Sequence, residues 1–332
     1  MATKVRQLIA EVTTNSSHPN PLISHDKLRQ LYSTMLKCRL LHERARMLRK
    51  QAAPEGDHSS SIGLEATVVG AAIDLRSTDT LVPSHRDFIL SYLKGVPLTA
   101  IFSQLYGRNT RSHHGRSDAD DSGYTPLNIA VPASTVTAQL KGCTNIALAN
   151  QREKNGNVVV AFSDEGSISL GEWHQALNSA GRCNLSIVFV THQSDQSAGS
   201  VPAKLKSSGD EISSKAVDFG FPWIAVDAND AVAVYRVAQE AIERARCGGG
   251  PTLIEAQTLP GYGLIEMKRA HYRTTDKVEE WESGDPISSM ERYLTGKGLF
   301  SQGLKGKIVA AFQRELDDAV DAAESDSCGV SA

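Results

Sequence analysis

The sequence predicts an α/β protein built on a doubly wound parallel sheet with helices on both faces. Two short apolar runs at 158–162 and 185–191 flank a stretch at 171–180 whose apolar residues recur at helical spacing. Apolar runs this short are typical of strands that are buried on both faces. Because strands and helices continue to alternate along the chain, the strands are expected to lie parallel in one sheet.

The remaining elements follow from the same periodicities. Ser24 is a typical residue to begin a helix, and the run GGGP at 248–251 is typical of a helix end. A single domain at 24–324 is predicted, with a loose polar arm at 1–23, a frayed tail at 325–332, and polar loops at 51–61 and 108–127. Further helices are predicted at 26–50, 63–75, 88–94, 98–106, 131–149, 231–246, 287–294 and 304–324, and further strands at 80–83, 223–226 and 252–256.

Composition narrows the class of protein. The 332 residues carry a formal net charge of −3 and are 40% hydrophobic, a balance typical of globular proteins. This charge gives no support to a nucleic-acid partner, and no apolar run approaches the roughly 20 residues of a membrane helix. The five cysteines are scattered and form no CxxC pair, and the first residues lack the apolar core of a signal peptide. A cytoplasmic location is therefore expected.

Polar residues follow both central strands at the point where each strand ends. The first strand is followed by SDEG at 163–166, and the second by HQSD at 192–195. In open α/β sheets this carboxyl edge is where ligands bind, and oxygen atoms from two adjacent strands suit Mg²⁺. Glu165 and Ser194 are the candidate ligands, although residues of these types also simply cap helices.

The helix predicted at 63–75 carries a charge among small residues. Glu65 is surrounded in the sequence by alanine, valine and glycine, so we expect its side chain to be buried. A buried carboxylate needs a partner, which makes Glu65 either a paired residue or a functional one. A dinucleotide site is not indicated, because no GxGxxG motif follows any predicted strand.

Several motifs resemble one family in the same order and at the same spacing over about 31–323. The chain is similar to the alpha subunit of the thiamine-diphosphate-dependent 2-oxo acid dehydrogenases, the E1 component of the pyruvate, branched-chain and acetoin complexes. The matching segments are GLEA at 63–66 for the family's GQEA, HRD at 85–87, VPAS at 131–134, EWHQALN at 172–178 for FHEALN, VDAND at 226–230 for VDGND, GPTLIEA at 250–256, and YR at 272–273 with DPI at 285–287.

The resemblance implies a function, two cofactors and two partners. It implies oxidative decarboxylation of a 2-oxo acid on thiamine diphosphate with Mg²⁺, followed by acyl transfer to a lipoyl group. The family divides its active site between two chains, so the resemblance also implies a separate E1 beta-type subunit, an α₂β₂ heterotetramer and a lipoyl-bearing E2 component. The residues that it places at the cofactor are Arg86 for the diphosphate, His85 in the place of the family's tyrosine before that arginine, Val136 for the pyrimidine, and Gly166 for backbone approach to the phosphates, with Ser167 beside it.

The metal motif departs from the family. Without gaps, the family's GDG aspartate falls on Glu165 and its NN asparagine on Ser194, 29 residues later. A frame shifted by one residue would use Asp164 and Gln193 instead, but it needs an insertion and a compensating deletion.

Other expected residues are replaced as well. The family's GHS histidine falls on Gly263, and a histidine near the substrate falls on Ser59, one position after His58. Only His58 and Glu65 remain as possible catalytic residues. Because each departure should weaken cofactor binding, the alternative to an active enzyme is a pseudo-subunit with a structural or regulatory role. A split transketolase is a further, less well matched alternative.

Overall fold

The sheet has five strands, all parallel, in a computed structural model that describes residues 23–52, 62–83, 88–106, 127–130, 136–164, 171–194, 219–258 and 284–325. The strands lie in the order β1-β2-β3-β5-β4. Their bounds are β1 Thr80–Val82, β2 Val159–Asp164, β3 Ile187–Ser194, β4 Trp223–Asp227 and β5 Thr252–Thr258.

Helices connect and cover these strands. The α6 helix makes the crossover between β2 and β3, and α7 makes the crossover between β4 and β5, so both are β-α-β units of parallel strands. The helices are α1 His25–Ala52, α2 Glu65–Ala72, α3 Phe88–Leu93, α4 Leu98–Leu105, α5 Val136–Glu153, α6 Gly171–Cys183, α7 Ala231–Arg246, α8 Pro286–Gly296 and α9 Gln302–Ser325.

Each face of the sheet has its own hydrophobic core. Alternate residues of the central strand β2 divide between the two cores: Val160 and Phe162 pack with α1, α2 and α7, whereas Val159 and Ala161 pack with α5 and α6. Side chains of a strand alternate between faces, so a strand covered on both sides must be apolar at consecutive positions. The prediction of a parallel sheet with helices on both faces is confirmed.

The small-residue helix α2 is buried inside the chain. It packs closely on α7, and a Cβ atom added to Gly70 would lie 2.8 Å from Val234 Cγ1 and 3.1 Å from the Tyr235 amide nitrogen. Only a residue without a Cβ lets the two helix backbones approach this closely. Glycine at this position therefore follows from helix packing rather than from a turn.

The predicted elements in the described residues are confirmed, with shifts at their ends. The helix expected at 131–149 is seen from Val136 to Glu153, and both central strands extend further toward their polar ends than predicted. As a result, Asp164 and Ser194 belong to strands rather than to turns. No described helix is long and apolar enough to cross a membrane. Most of the predicted arm at 1–23, of the predicted tail at 325–332 and of the predicted loops at 51–61 and 108–127 lies outside the described residues.

Candidate functional site

The ends of β2 and β3 are adjacent, as the sequence predicts. The two strands are hydrogen-bonded neighbours, and their register pairs Ser163 with Thr191 and Asp164 with His192. Ser194, two residues further along β3, pairs with Thr258 of β5. The carboxyl edge of the sheet therefore presents polar residues from three consecutive strands, and the chain leaves β2 there to enter α6.

A row of buried polar side chains crosses the sheet just below this edge. Ser163 and Thr191 join β2 to β3 through their hydroxyl groups, whose oxygens are 2.9 Å apart. The register continues the row from Thr191 to Glu255 on β5. The Glu255 carboxylate is fully buried and accepts hydrogen bonds from Trp223 Nε1 at 2.9 Å and from Gln257 Nε2 at 3.3 Å.

Glu255 lacks a charged partner within the part of the chain that the structure describes. Burial raises the pKa of its carboxyl above the ordinary value, and the hydrogen bonds from Gln257 and Trp223 offset this only in part. The neutral acid is therefore favoured more at this position than in water. One of its hydrogen bonds fixes the amide of Gln257, which is exposed at the carboxyl edge.

Glu65 is paired, and its partner is Arg39 of α1. Arg39 Nε donates to Glu65 Oε1 at 2.5 Å, and its Nη2 donates to Glu65 Oε2 at 2.9 Å and to Asp285 Oδ1 at 2.7 Å. Burial would lower the pKa of Arg39, but attraction and hydrogen bonds from Glu65 and then Asp285 raise it well above its usual range. The Glu65 side chain is thus held as an acceptor in a buried ion network, which gives the buried carboxylate the partner that its burial requires.

The network lies at the same end of the sheet as the polar strand ends. Thr67, in the first turn of α2, donates from Oγ1 to the carbonyl of Ala228, 3.3 Å away, directly after β4. The Ala228 amide in turn donates to the carbonyl of Gln257 at 2.9 Å, near the end of β5. The N-terminus of α2 therefore packs against the carboxyl edge, in the same turn as Glu65.

Many of the predicted site residues lie outside the described residues. Asp164, Gln193 and Ser194 are placed as strand positions and Val136 as the first residue of α5, but nothing is described of their side chains. The described residues contain no group of three or more His, Cys, Asp or Glu that could hold a metal ion. Glu165, His85, Arg86, Gly166, Ser167, His58, Ser59 and Gly263 fall outside the described residues.

Arg39 and Thr191 were missed by the sequence reasoning, whereas Ser163 was included among the polar residues that follow the first strand. A usable signal existed for Arg39, which lies four residues after the buried Met35 and next to the buried Cys38 on the apolar face of α1. A charged residue on a buried helix face must find a partner of opposite charge. The sequence marks Asp285 only as part of the DPI segment and does not indicate that it binds Arg39.

With this geometry established, comparison with known proteins identifies the family. A model of the family described as "Dehydrogenase E1 component" matches residues 32–329. The chain belongs to the dehydrogenase E1 component family. The resemblance to E1 alpha subunits that the motifs indicated is thereby confirmed.

Curated relatives of this E1 component are alpha subunits. The chain is 34% identical to the 3-methyl-2-oxobutanoate dehydrogenase subunit alpha of Mycobacterium tuberculosis over 302 residues, which is 90% of this chain and 79% of the relative. It is 29% identical to the pyruvate dehydrogenase E1 component subunit alpha of Staphylococcus epidermidis, over 92% of this chain and 80% of the relative.

One solved structure is a more distant neighbour of this E1 component. A putative thiamin diphosphate-dependent enzyme from Mycobacterium smegmatis aligns with a TM-score of 0.40 and 21% identity, over 59% of this chain and 31% of its own. This likeness is too low to bear on the fold or the function.

Proposed function

We propose that this E1 component is the alpha subunit of a 2-oxo acid dehydrogenase that uses thiamine diphosphate and Mg²⁺. In this proposal it acts with a separate beta-type subunit in an α₂β₂ assembly in the cytoplasm. The acyl group derived from the 2-oxo acid then passes to a lipoyl group on an E2 component. The support comes from two alpha-subunit relatives, whose names specify 3-methyl-2-oxobutanoate and pyruvate dehydrogenases.

The observation that carries the proposal is the adjacency of β2 and β3. Their hydrogen-bonded ends bring the positions around 164 and 193 together at the carboxyl edge. Carboxylate, hydroxyl and amide oxygens at two neighbouring strand ends are the donors that Mg²⁺ accepts, and Mg²⁺ commonly bridges to phosphates. The donor set in the sequence therefore fits a magnesium-bound diphosphate.

Each residue of the proposed site has its own role in binding the metal or the cofactor. Thiamine diphosphate, when bound, supplies the electron sink for decarboxylation, and the protein supplies binding and orientation. In the proposal, Glu165 and Ser194 bind the metal, and Asp164 with Gln193 is the alternative pair. Arg86 and His85 hold the diphosphate, Gly166 and Ser167 let the backbone approach the phosphates, and Val136 supports the pyrimidine.

A pseudo-subunit is the second candidate, and the metal motif is what favours it. Glu165 replaces the family's aspartate, Ser194 replaces its asparagine, and Gly263 replaces its histidine. Mg²⁺ demands nearly ideal octahedral geometry at about 2.0–2.1 Å, so a longer carboxylate and a shorter hydroxyl both require adjustment. In this second candidate the chain keeps its fold and its contacts with the beta subunit but does not bind the cofactor.

Calorimetric titration separates the two candidates. The chain is co-expressed with an E1 beta-type subunit and titrated with thiamine diphosphate in Mg²⁺ and, as a control, in excess chelator. Saturable, Mg²⁺-dependent binding, with release of CO₂ from a branched-chain 2-oxo acid or pyruvate, is the expected result. A stable assembly that neither binds the cofactor nor decarboxylates either acid would establish the pseudo-subunit instead.

The variant Asp164→Ala distinguishes the two metal frames. If Glu165 and Ser194 are the ligands, the variant is expected to keep most of the Mg²⁺-dependent affinity of the wild-type assembly. If Asp164 and Gln193 are the ligands, the same variant is expected to abolish binding, because a metal site that loses a charged ligand loses most of its affinity. Glu165→Ala is the matched variant with the opposite expectation.

A further inference from the structure

Arg39 joins the first residues of α2 and α8. Its guanidinium binds Glu65, the first residue of α2, and Asp285, which caps α8. Thr67, in the same turn of α2 as Glu65, hydrogen-bonds to Ala228 at the carboxyl edge of the sheet. We propose that Arg39 is a positioning residue for the cofactor site, because its guanidinium fixes the N-termini of α2 and α8 relative to each other. This inference rests on the proposed function and assigns a role within it.

The geometry of the guanidinium is specific. A single nitrogen, Nη2, donates to both Glu65 Oε2 and Asp285 Oδ1, while Nε completes a two-pronged contact with Glu65. Two carboxylates bound to one rigid planar group are held at a fixed separation. A lysine ammonium supplies the same charge but lacks this fork, so it cannot reproduce the arrangement.

The same two carboxylates also accept hydrogen bonds from the main chain. Glu65 Oε2 accepts from the Gly63 amide at 2.9 Å, and Asp285 Oδ2 accepts from the Ser288 amide at 2.9 Å. Both amides belong to the backbone that enters α2 or α8. The position of Arg39 is thereby coupled to the path of the chain at the start of both helices.

Burial makes the coupling strong. The exposed fractions of the side chains are 13% for Arg39, 0% for Glu65 and 8% for Asp285. Without a correctly placed guanidinium, two buried carboxylates would face each other with little solvent to screen them. Glu43, one turn further along α1, is a third acidic group beside this cluster: burial and the nearby Glu65 and Asp285 raise its pKa, and Arg39 and Arg46 lower it.

A second buried pair provides a matched control for the test. Arg246 of α7 binds Asp79 through two hydrogen bonds of 3.0 and 2.8 Å, and the exposed fractions are 9% and 0%. Asp79 also accepts from the Val158 amide at 2.9 Å, at the opposite, amino-terminal edge of the sheet. Arg39→Lys and Arg246→Lys therefore remove equivalent interactions at opposite edges.

The first readout is amide hydrogen exchange, measured by mass spectrometry on the assembly with the beta subunit and no cofactor. Arg39→Lys is expected to speed exchange at Gly63 and Ser288 by at least about tenfold, which corresponds to about 1.4 kcal/mol. Arg246→Lys is expected to speed exchange at Val158 instead. Unchanged exchange at Gly63 and Ser288 in Arg39→Lys would overturn the proposal.

The second readout is the affinity of the same assemblies for thiamine diphosphate in Mg²⁺. Arg39→Lys should weaken binding at least about tenfold, as is typical when a residue supporting a ligand site is lost, whereas Arg246→Lys should stay within about twofold of the wild type. Equal weakening in both variants would mean that Arg39 acts only through stability, and unchanged affinity in Arg39→Lys would overturn its positioning role.

A failure of the proposed function is distinguishable from these outcomes. If the wild-type assembly binds no cofactor, the proposed function is wrong and the role of Arg39 in it falls as well. If Arg39→Lys does not fold, Glu65→Gln replaces it in both measurements, because it keeps an acceptor for Arg39 while removing the charge. Glu65→Gln is expected to speed amide exchange and to weaken thiamine diphosphate binding, as Arg39→Lys does but by smaller factors. Exchange rates and affinity equal to those of the wild type would overturn the proposal.

Discussion

The ion pair between Asp79 and Arg246 is predicted to make a large contribution to the free energy of unfolding. The fully buried Asp79 carboxylate accepts from both Nη atoms of Arg246, and also from the backbone amides of Arg76 at 2.8 Å and Val158 at 2.9 Å. It ties the start of β1, the residue before β2 and the end of α7 together. The change that tests this contribution is Asp79→Asn.

The expected loss follows from burial. Removing one charge of a buried pair leaves the other uncompensated and typically costs about 3–5 kcal/mol. Proteins of ordinary stability have only about 5–15 kcal/mol in total. The matched surface variant is Asp317→Asn, whose partner Arg44 lies 2.7 Å away with exposed fractions of 35% for Arg44 and 59% for Asp317. Such exposed pairs are worth about 0–1 kcal/mol.

The loss depends on pH in a direction that the structure fixes. Burial would raise the pKa of Asp79, but hydrogen bonds from Arg246 and from the amides of Val158 and Arg76 outweigh it and lower that pKa. A lowered folded-state pKa stabilises the protein above the unfolded-state pKa of about 3.9, and this contribution disappears as the pH falls through the folded-state value. The difference between wild type and Asp79→Asn should therefore shrink below about pH 4.

Denaturant unfolding followed by circular dichroism measures both effects. At pH 7 the free energy of unfolding should fall by about 3 kcal/mol or more in Asp79→Asn and by less than about 1 kcal/mol in Asp317→Asn. A loss in Asp79→Asn no larger than that in Asp317→Asn would refute the argument from burial. A difference that stayed constant from pH 7 to pH 3 would refute the argument from charge.

Three further predictions concern the helix contact, the buried acid and the metal pair. Gly70→Ala should lower the free energy of unfolding by about 1–3 kcal/mol, because the new Cβ would overlap Val234 on α7. Gly142→Ala in α5 is the matched control, because a Cβ there would meet nothing within 4 Å. An unchanged unfolding midpoint for Gly70→Ala would contradict the packing. The Glu255→Gln variant should become more stable relative to the wild type as the pH rises above about 4.5, because the raised pKa of Glu255 means that its ionised form destabilises the fold. A difference in thermal midpoint that does not depend on pH would disprove this. The double variant Glu165→Asp with Ser194→Asn should tighten Mg²⁺–thiamine diphosphate binding at least about tenfold, or 1.4 kcal/mol. The gains from the two single changes should add up to less than the gain from the pair, because both ligands bind one ion. Calorimetry that shows no gain from the pair would reject this metal frame, and adding Gly263→His tests the missing diphosphate contact.

The sequence was informative wherever a feature depends on local periodicity. The two central strands and the crossover helix α6 follow from apolar spacing, which is a property of neighbouring residues, although the strands run on to Asp164 and Ser194, beyond the apolar runs. The rule that β-α-β units keep their strands parallel then predicted that β2 and β3 present their polar ends at one edge. The collinear motifs predicted the family, which the comparison over 32–329 confirms.

Only the tertiary structure decided which side chains meet. Arg39 is 26 residues from Glu65 and 246 from Asp285, so no local pattern links the three. The sequence left Glu65 as either paired or functional, and the fold supplies the pairing by bringing Arg39 of α1 to its carboxylate.

The row of polar side chains near the carboxyl edge also depends on the tertiary structure. Ser163, Thr191 and Glu255 look like ordinary residues of three separate strands until the register aligns them. Register and helix packing depend on the summed burial of both cores rather than on any one segment. The sequence by itself therefore determined which elements form and where each presents polar residues, whereas packing determined the partners that give Glu65 and Glu255 their chemistry.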